Sequence, residues 1–87
     1  MGKLETLQAF VAVVEAEGIS SAANQLGIAK SAVSRRLQEL ESSLKTQLIY
    51  RSTRSFSLTP EGSQFYERCL QSIEDLNKAE SSITKHS

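Results

Sequence analysis

A gap of only three residues, Gly27 to Ala29, separates two helical patterns and constrains the fold of this chain more than any other feature. After the gap, apolar side chains recur at steps of four, three and four residues, at Val33, Leu37, Leu40 and Leu44. That spacing places them on one face of a helix, which we expect to run from about residue 30 to residue 44. Because a turn of this length sets two consecutive helices at a steep angle, the sequence predicts a helix-turn-helix.

Two helices are predicted before the gap. The first has apolar residues at steps of mostly three and four, at Leu4, Leu7, Phe10, Val11 and Val14. It should end shortly after them, and Ser20 is a suitable N-cap for the second helix. The buried side of the second helix should consist of Ala23 and Leu26. Gly27 then provides a permissive C-terminal turn, and Ile28 should anchor that turn in the core.

Thr59, Pro60 and Glu61 mark the start of a long last helix. They supply a capping hydroxyl, a proline at the first helical position and an acid at the positive end of the helix dipole. Apolar residues follow along one side, at Phe65, Cys69, Ile73, Leu76 and Ile83. Since such a helix is not stable alone, we expect its first half to cover the core and the part from Ile73 onward to pair with a second copy of the chain. Fraying of the terminus is the alternative.

The charges of the chain are segregated, although the net charge is zero. Residues 1–29 carry one cation and three acids, residues 30–54 carry six cations and two acids, and residues 55–87 carry three cations and five acids. The central segment is therefore basic between two acidic ends. A local basic patch is the electrostatic footprint of phosphate binding. On charge alone, an ordinary solvated surface is an equally good interpretation.

The outward face of the third predicted helix is polar and cationic at its N-terminal end. If Val33 and Leu37 face inward, the outward face carries Lys30, Ser31, Ser34 and Arg35. In a helix-turn-helix this end of the later helix enters the major groove of DNA, where Arg and Lys donate to guanine and Ser donates or accepts. Arg36 and the Ser31 hydroxyl could instead hold phosphates at the helix N-terminus. A solvated helix face is the alternative.

A hairpin is predicted after the third helix. Two short β-prone runs, residues 48–51 and 56–58, flank a polar tip. Phe56 and Leu58 share one face and can pack onto the helices. The pattern therefore predicts the two-stranded wing of a winged helix, with Arg54 at its tip, where an arginine can enter the adjacent minor groove. An exposed loop arginine is the alternative.

The sequence argues against an enzyme, a metal site and a membrane protein. Ser42 and Lys45 match the Ser-x-x-Lys pattern by chance, because its accompanying motifs are missing. Cys69 fits a small core hydrophobe, and with His86 it could not close a zinc site. No apolar run reaches the roughly 18 residues of a membrane span, and a lone cysteine fits the reducing cytoplasm. We expect a cytoplasmic binding module without cofactors. A winged-helix module for protein interaction would need an apolar or acidic outward face on the third helix.

Several of these segments together resemble the amino-terminal domain of LysR-type transcriptional regulators. The segments that carry the resemblance are residues 9–14, 20–28, 31–37, 40–41, 51–54 and 58–62. The resemblance extends from about Leu4 to the late seventies, and the combination is specific although no single fragment is.

The resemblance implies a mainly α fold. A winged helix-turn-helix, with a three-helix core and a two-stranded β wing, would occupy residues 1–59, and a linker helix through which dimers form would occupy residues 60–87. Double-stranded DNA would be bound at an interrupted inverted repeat. The residues assigned to the major groove are Lys30, Ser31, Ala32, Ser34 and Arg35, and Arg54 is assigned to the minor groove. The residues assigned to phosphates are Ser20, Arg36, Arg51 and Thr53. The residues assigned to the dimer contact are Ile73, Leu76 and Ile83.

The chain departs from the family pattern at several positions. Lys30 stands where glutamine is common, and Ala29 replaces a frequent serine cap that is typically worth about 1 kcal/mol. Lys45, Gln47 and Ile49 replace the usual glycine, proline and phenylalanine before the wing. Family members also carry a carboxy-terminal domain that senses a small-molecule effector. We expect these 87 residues to be the DNA-binding domain and linker helix, with any effector bound only by a domain outside them.

Overall fold

The computed structural model describes residues 3–50 and 55–84. This part of the chain forms four helices: α1 (Lys3–Ala16), α2 (Ile19–Leu26), α3 (Lys30–Leu44) and α4 (Pro60–Thr84). α1 packs against each of the other three helices, and α2 also packs against α3. The predicted mainly α fold and the limits of α3 are confirmed.

Phe10 of α1 lies at the centre of the core. Its side chain is fully buried, and its ring centroid lies 5.7 Å from that of Phe65 and 6.5 Å from that of Tyr66, both on α4. Tilted and edge-on aromatic pairs of this kind contribute about 0.5–1.5 kcal/mol beyond the area that they bury. The Tyr66 hydroxyl also donates to the Glu15 carboxylate at 3.3 Å. These contacts attach the first half of α4 to the three-helix core.

The turn between α2 and α3 forms as the sequence predicts. Gly27 adopts the left-handed conformation with φ of 70°, which costs glycine no steric penalty. The N–H of Ile28 donates to the carbonyl of Ala23 at 3.1 Å, and Ile28 packs against the core. α3 then begins at Lys30 and buries three residues of its predicted inward face: Val33, Leu37 and Leu40.

The predicted N-cap of α2 is wrong. Gly18, not Ser20, occupies that position, because the carbonyl of Gly18 accepts the first helical hydrogen bond, from the N–H of Ala22 at 3.2 Å. Ile19 packs against the core as the first residue of the helix. The helix therefore starts before Ser20, whose side chain is exposed within the first turn.

Three leucines that were expected on the inward faces are exposed, with fractional exposures of 36% for Leu26, 52% for Leu4 and 40% for Leu44. Each lies in a terminal turn of its helix, where the neighbouring helices no longer cover it. On α2, the buried pair is Ala22 and Ala23. Two small residues there let α2 lie close to its neighbours, so the buried face of this short helix is narrow.

The described residues include the base of the predicted hairpin. Ile49 and Leu58 form an isolated antiparallel bridge, flanked by hydrogen bonds from Tyr50 N to Ser57 O at 3.1 Å and from Thr59 N to Leu48 O at 3.0 Å. In the described residues no strand pairing extends beyond this bridge, so the two-stranded wing stays a prediction. We call residues 48–50 and 56–58 the hairpin base. Phe56 and Leu58 pack against the core, as expected.

α4 begins with the predicted cap. The Thr59 hydroxyl accepts from the N–H of Gly62 at 2.9 Å, and the same hydroxyl donates to the carbonyl of Gln47 at 2.7 Å. Gly62 lies directly against the backbone of Leu48: a Cβ at this position would overlap the Leu48 carbonyl oxygen and lie 2.9 Å from its carbonyl carbon. The start of α4 is therefore joined tightly to the segment that follows α3.

The distal part of α4 extends beyond the core. Ile73 is half-buried, and every side chain of residues 74–83 is exposed. The helix has 25 residues, and the longest dimension of the molecule is 49 Å against 27 and 23 Å for the others. Among the described helices, none has both the length and the apolar character needed to cross a membrane.

We predict that Gly62→Ala lowers the free energy of unfolding by about 1–3 kcal/mol, because the added methyl group must displace backbone. Urea unfolding of both proteins measures the difference. Gly18→Ser is the matched control, since a Cβ at Gly18 meets nothing within 4 Å, its φ of 163° is ordinary extended backbone, and serine is at least as good an N-cap as glycine. That control should stay within about 0.5 kcal/mol of wild type. Equal effects of the two substitutions would contradict the close contact.

We predict that Lys45→Gly raises the free energy of unfolding by about 0.5–1 kcal/mol, because Lys45 closes α3 in the left-handed conformation, where an L-residue is strained. Its φ is 54°. Thermal or urea unfolding gives the value. Lys45→Ala removes the same charged side chain but keeps the strain, so it should gain nothing. An equal gain from both variants would assign the effect to charge rather than to the backbone.

Candidate nucleic-acid interface

The N-terminal half of α3 presents a polar surface to solvent. Lys30, Ser31 and Arg35 are exposed, and Ala32 and Ser34 are half-buried. Val33 and Leu37 are buried, which leaves these five side chains on the outward and flanking sides of the helix. The structure thus brings together the five residues that were assigned to the major groove. We call them the α3 face.

The N-terminus of α3 has backbone donors at this surface. Ala29 is the N-cap residue, with extended backbone and no side-chain hydrogen bond to the helix. Its carbonyl accepts from Ala32 at 3.0 Å and from Val33 at 3.2 Å. The N–H groups of Lys30 and Ser31 precede these bonds, have no acceptor within the helix and lie at the positive end of its dipole. An anion can therefore be bound at this end of α3.

The cations of α3 are concentrated in its first half. Lys30, Arg35 and Arg36 lie there with no acid, whereas Glu39 and Glu41 lie in the second half. In residues 3–50 and 55–84, no ion pair or side-chain hydrogen bond engages Lys30 or Arg35. Within the part of the chain that the structure describes, both charges are therefore available to an external partner.

Arg36 is placed differently from Arg35. Its side chain is half-buried, and its Nε is buried without a hydrogen-bond partner in the described part of the chain. The guanidinium of Arg36 is thus held at the protein surface, whereas Arg35 extends from it. This arrangement suits a contact close to the protein, such as a DNA phosphate, better than a contact deep in a groove.

The other predicted phosphate and minor-groove residues are only partly observed. Ser20 is exposed in the first turn of α2. Arg51, Thr53 and Arg54 lie outside the described residues, so their assigned roles remain predictions. The three residues assigned to the dimer contact lie on α4, where Ile73 is half-buried against the core, Leu76 is 52% exposed and Ile83 is 76% exposed.

The sequence analysis predicted no hydrogen-bonding role for two residues between α3 and the hairpin base, Glu41 and Gln47. The carboxylate of Glu41 accepts from the N–H of Leu48 at 2.7 Å and from that of Ile49 at 3.2 Å. The side chain of Gln47 donates to the carbonyl of Ile49 at 2.9 Å. No periodicity marks either residue. Glu41 binds backbone groups seven and eight residues away, and Gln47 binds a backbone group two residues away.

Cys69 is buried, and desolvation by the surrounding core raises the pKa of its thiol. A thiol with a raised pKa carries less nucleophilic thiolate at neutral pH, which agrees with its predicted place in the core. No group of three or more potential metal ligands occurs in the part of the chain that the structure describes.

Residues 4–63 match the model of the bacterial regulatory helix-turn-helix protein, lysR family. The chain belongs to this family. Curated relatives include the uncharacterized HTH-type transcriptional regulator YhjC of Escherichia coli, 41% identical over 90% of this chain and 26% of its own length. CrgA of Neisseria meningitidis is 43% identical over 91% of this chain and 26% of its own length. The chain thus spans about a quarter of the length of these relatives, which are transcriptional regulators.

Solved LysR-family structures have the same fold. The crystal structure of the BenM_DBD/benA site 1 DNA complex superposes with a TM-score of 0.93 at 35% identity, covering 99% of this chain and 100% of that one. The CbnR_DBD–DNA complex gives a TM-score of 0.88 at 28% identity, with 98% of each chain covered. Full-length BenM gives a TM-score of 0.87 at 38% identity, but the match covers only 27% of that chain. These similarities agree with the observed order of helices.

Proposed function

We propose that this chain binds double-stranded DNA sequence-specifically, as the DNA-binding part of a bacterial LysR-type transcriptional regulator. The observation that carries the proposal is the α3 face: an exposed, cationic, donor-rich helix end that follows a three-residue turn. The BenM_DBD and CbnR_DBD chains, which have the same fold, are found in complexes with DNA. An apolar or acidic α3 face, which a protein-interaction module would need, is not what the helix presents.

In this proposal the α3 face enters the major groove. Arg35 is the principal base contact, because an exposed guanidinium can donate two hydrogen bonds to the O6 and N7 atoms of guanine. Lys30 and Ser31 lie at the helix end that approaches DNA first, and Ser34 and Ala32 flank Arg35. Lys30 replaces the family's common glutamine, so its base preference should differ from that of most relatives.

The remaining contacts fix the register of the domain on the duplex. We assign Arg36 and Ser20 to the phosphates beside the major groove, and Arg51 and Thr53 to phosphates near the wing. A two-stranded wing extends from the hairpin base in this proposal, and its Arg54 enters the minor groove. The exposed position of Ser20 and the buried Nε of Arg36 are compatible with these roles.

We further propose that two chains pair through the distal part of α4 and read an interrupted inverted repeat. Leu76 and Ile83 are seven residues apart, so they share one side of the helix, and both are exposed. A two-fold dimer places two α3 faces on related half-sites. The regulator would act in the bacterial cytoplasm, and any small-molecule effector would be bound by a carboxy-terminal domain outside these residues.

Binding to a duplex obtained by selection from random sequences tests this function. Because phosphate contacts release counterions, we expect the log of the affinity to fall with the log of salt concentration with a slope of about −0.9 per phosphate contacted. Arg35→Ala should weaken specific binding by about 1–3 kcal/mol and relax the preference at one base pair. Fluorescence anisotropy with specific and random duplexes measures both effects.

Arg68→Ala is the matched control, since Arg68 is an exposed arginine on α4, outside the α3 face. It should leave specific binding nearly unchanged. No binding to any duplex at low salt, or a flat salt dependence, would refute the proposed function. Equal losses for Arg35→Ala on specific and random DNA would reassign Arg35 to a phosphate.

The dimer predicts that Leu76→Asp converts a two-chain species into a monomer, because a buried, unpaired carboxylate would destabilise the α4 pair. Analytical ultracentrifugation over a range of concentrations measures the mass. Leu70→Asp is the control, as Leu70 is also exposed on α4 but points about 120° away from Leu76. A monomeric wild type at high concentration would disprove the pairing.

A further inference from the structure

Glu41 connects α3 to the hairpin base through a single oxygen atom. Its Oε2 accepts from the N–H groups of both Leu48 and Ile49, at 2.7 and 3.2 Å. The hairpin itself uses other groups, since the cross-strand bonds run from Tyr50 N and from Thr59 N. Glu41 thus pairs two donors that the strand leaves unpaired along its edge. The half-buried carboxylate is well suited to this, because charged acceptors form the stronger hydrogen bonds.

The same helix carries Glu41 and the α3 face. Glu41 follows Arg35 by six residues, which is a rise of about 9 Å along one continuous helix. Two further bonds hold the same segment: Gln47 donates to the carbonyl of Ile49, and Thr59 donates to that of Gln47. Neither of these bonds comes from α3, whereas the Glu41 carboxylate does and therefore ties the hairpin base to that helix.

We propose that Glu41 is a positioning residue for DNA recognition. Its carboxylate fixes the hairpin base against α3, and the wing contact that the proposed function assigns to Arg54 is oriented through this base. The step from the hairpin base to the wing's DNA contact rests on the proposed function. Glu41 itself touches no base or phosphate in this proposal.

Whether a substitution of Glu41 strengthens or weakens DNA binding distinguishes a positioning role of its side chain from an effect of its charge. Removing an acid from a basic segment should strengthen binding to a polyanion, if charge alone matters. Weaker hydrogen bonds to the hairpin base should weaken it instead. Glu41→Gln keeps the size of the side chain and one acceptor oxygen, but this oxygen is neutral, so both hydrogen bonds to the hairpin base become weaker than those of the carboxylate.

The test compares Glu41→Gln with Glu39→Gln in the full 87-residue chain. Glu39 is an exposed acid two residues earlier on α3, so its variant makes the same change in charge without the hairpin contact. We expect Glu41→Gln to weaken binding to the selected duplex about five- to tenfold, whereas Glu39→Gln binds as tightly as wild type or slightly more tightly.

The same measurement in an Arg54→Ala background identifies the wing as the route. If Glu41 acts through the wing, the loss caused by Glu41→Gln should disappear once the wing arginine is gone. An equal loss in both backgrounds, or a gain that matches Glu39→Gln, would overturn the proposal, because the effect would then come from general destabilisation or from charge.

Measurements on the protein without DNA test the positioning role of Glu41 independently of the proposed function. In Glu41→Gln, the amides of Leu48 and Ile49 should exchange faster with solvent, and the residual dipolar couplings of Tyr50 and Ser57 should change relative to those of α3. Unchanged couplings would overturn the positioning role by itself. Failure of the wild type to bind any duplex, with altered couplings in the variant, would refute the DNA-binding function and leave the positioning of the hairpin base supported.

Discussion

The Thr59 hydroxyl is the contact on which the arrangement of this domain depends. It donates to the carbonyl of Gln47 at 2.7 Å and accepts from the N–H of Gly62 at 2.9 Å, so one side chain joins the segment after α3 to the start of α4. Gly62 allows this junction to close, because any Cβ would collide with the backbone of Leu48. The direction in which α4 leaves the core is set here, and with it the place where the exposed side chains of the distal helix can meet a partner.

The cationic surface and the exposed apolar residues of this domain lie in two different regions. Three cations, Lys30, Arg35 and Arg36, lie in the first half of α3 without an acid among them, although the chain has no net charge. The exposed apolar residues Leu76 and Ile83 lie far along α4, on the part that projects beyond the core. The surfaces that we propose for phosphate binding and for pairing therefore lie on different helices, and neither has to be buried by the other.

Sequence reasoning succeeded where the signal was local. The spacing of Val33, Leu37 and Leu40 located α3 to the residue, and Gly27 marked its preceding turn, because periodicity and backbone conformation are properties of neighbouring residues. It failed for the predicted burial of Leu26 and for the N-cap of α2, which was predicted at Ser20. Leu26 lies in the last turn of α2, where the neighbouring helices do not cover it, and Ile19 packs against the core as the first residue of that helix. Which residues the neighbouring helices cover is not contained in a single segment.

The sequence by itself determined the helices, the turn between α2 and α3, the basic segment and the cap at Thr59, since each follows from residues within a few positions of one another. Only the tertiary structure decided how these parts are joined. The carboxylate of Glu41 on the Leu48 and Ile49 amides, and the contact of Gly62 with Leu48, link residues 7 to 14 positions apart through backbone atoms. Such contacts leave no periodic pattern, because every residue type has the same backbone, and they appear only when the chain is folded.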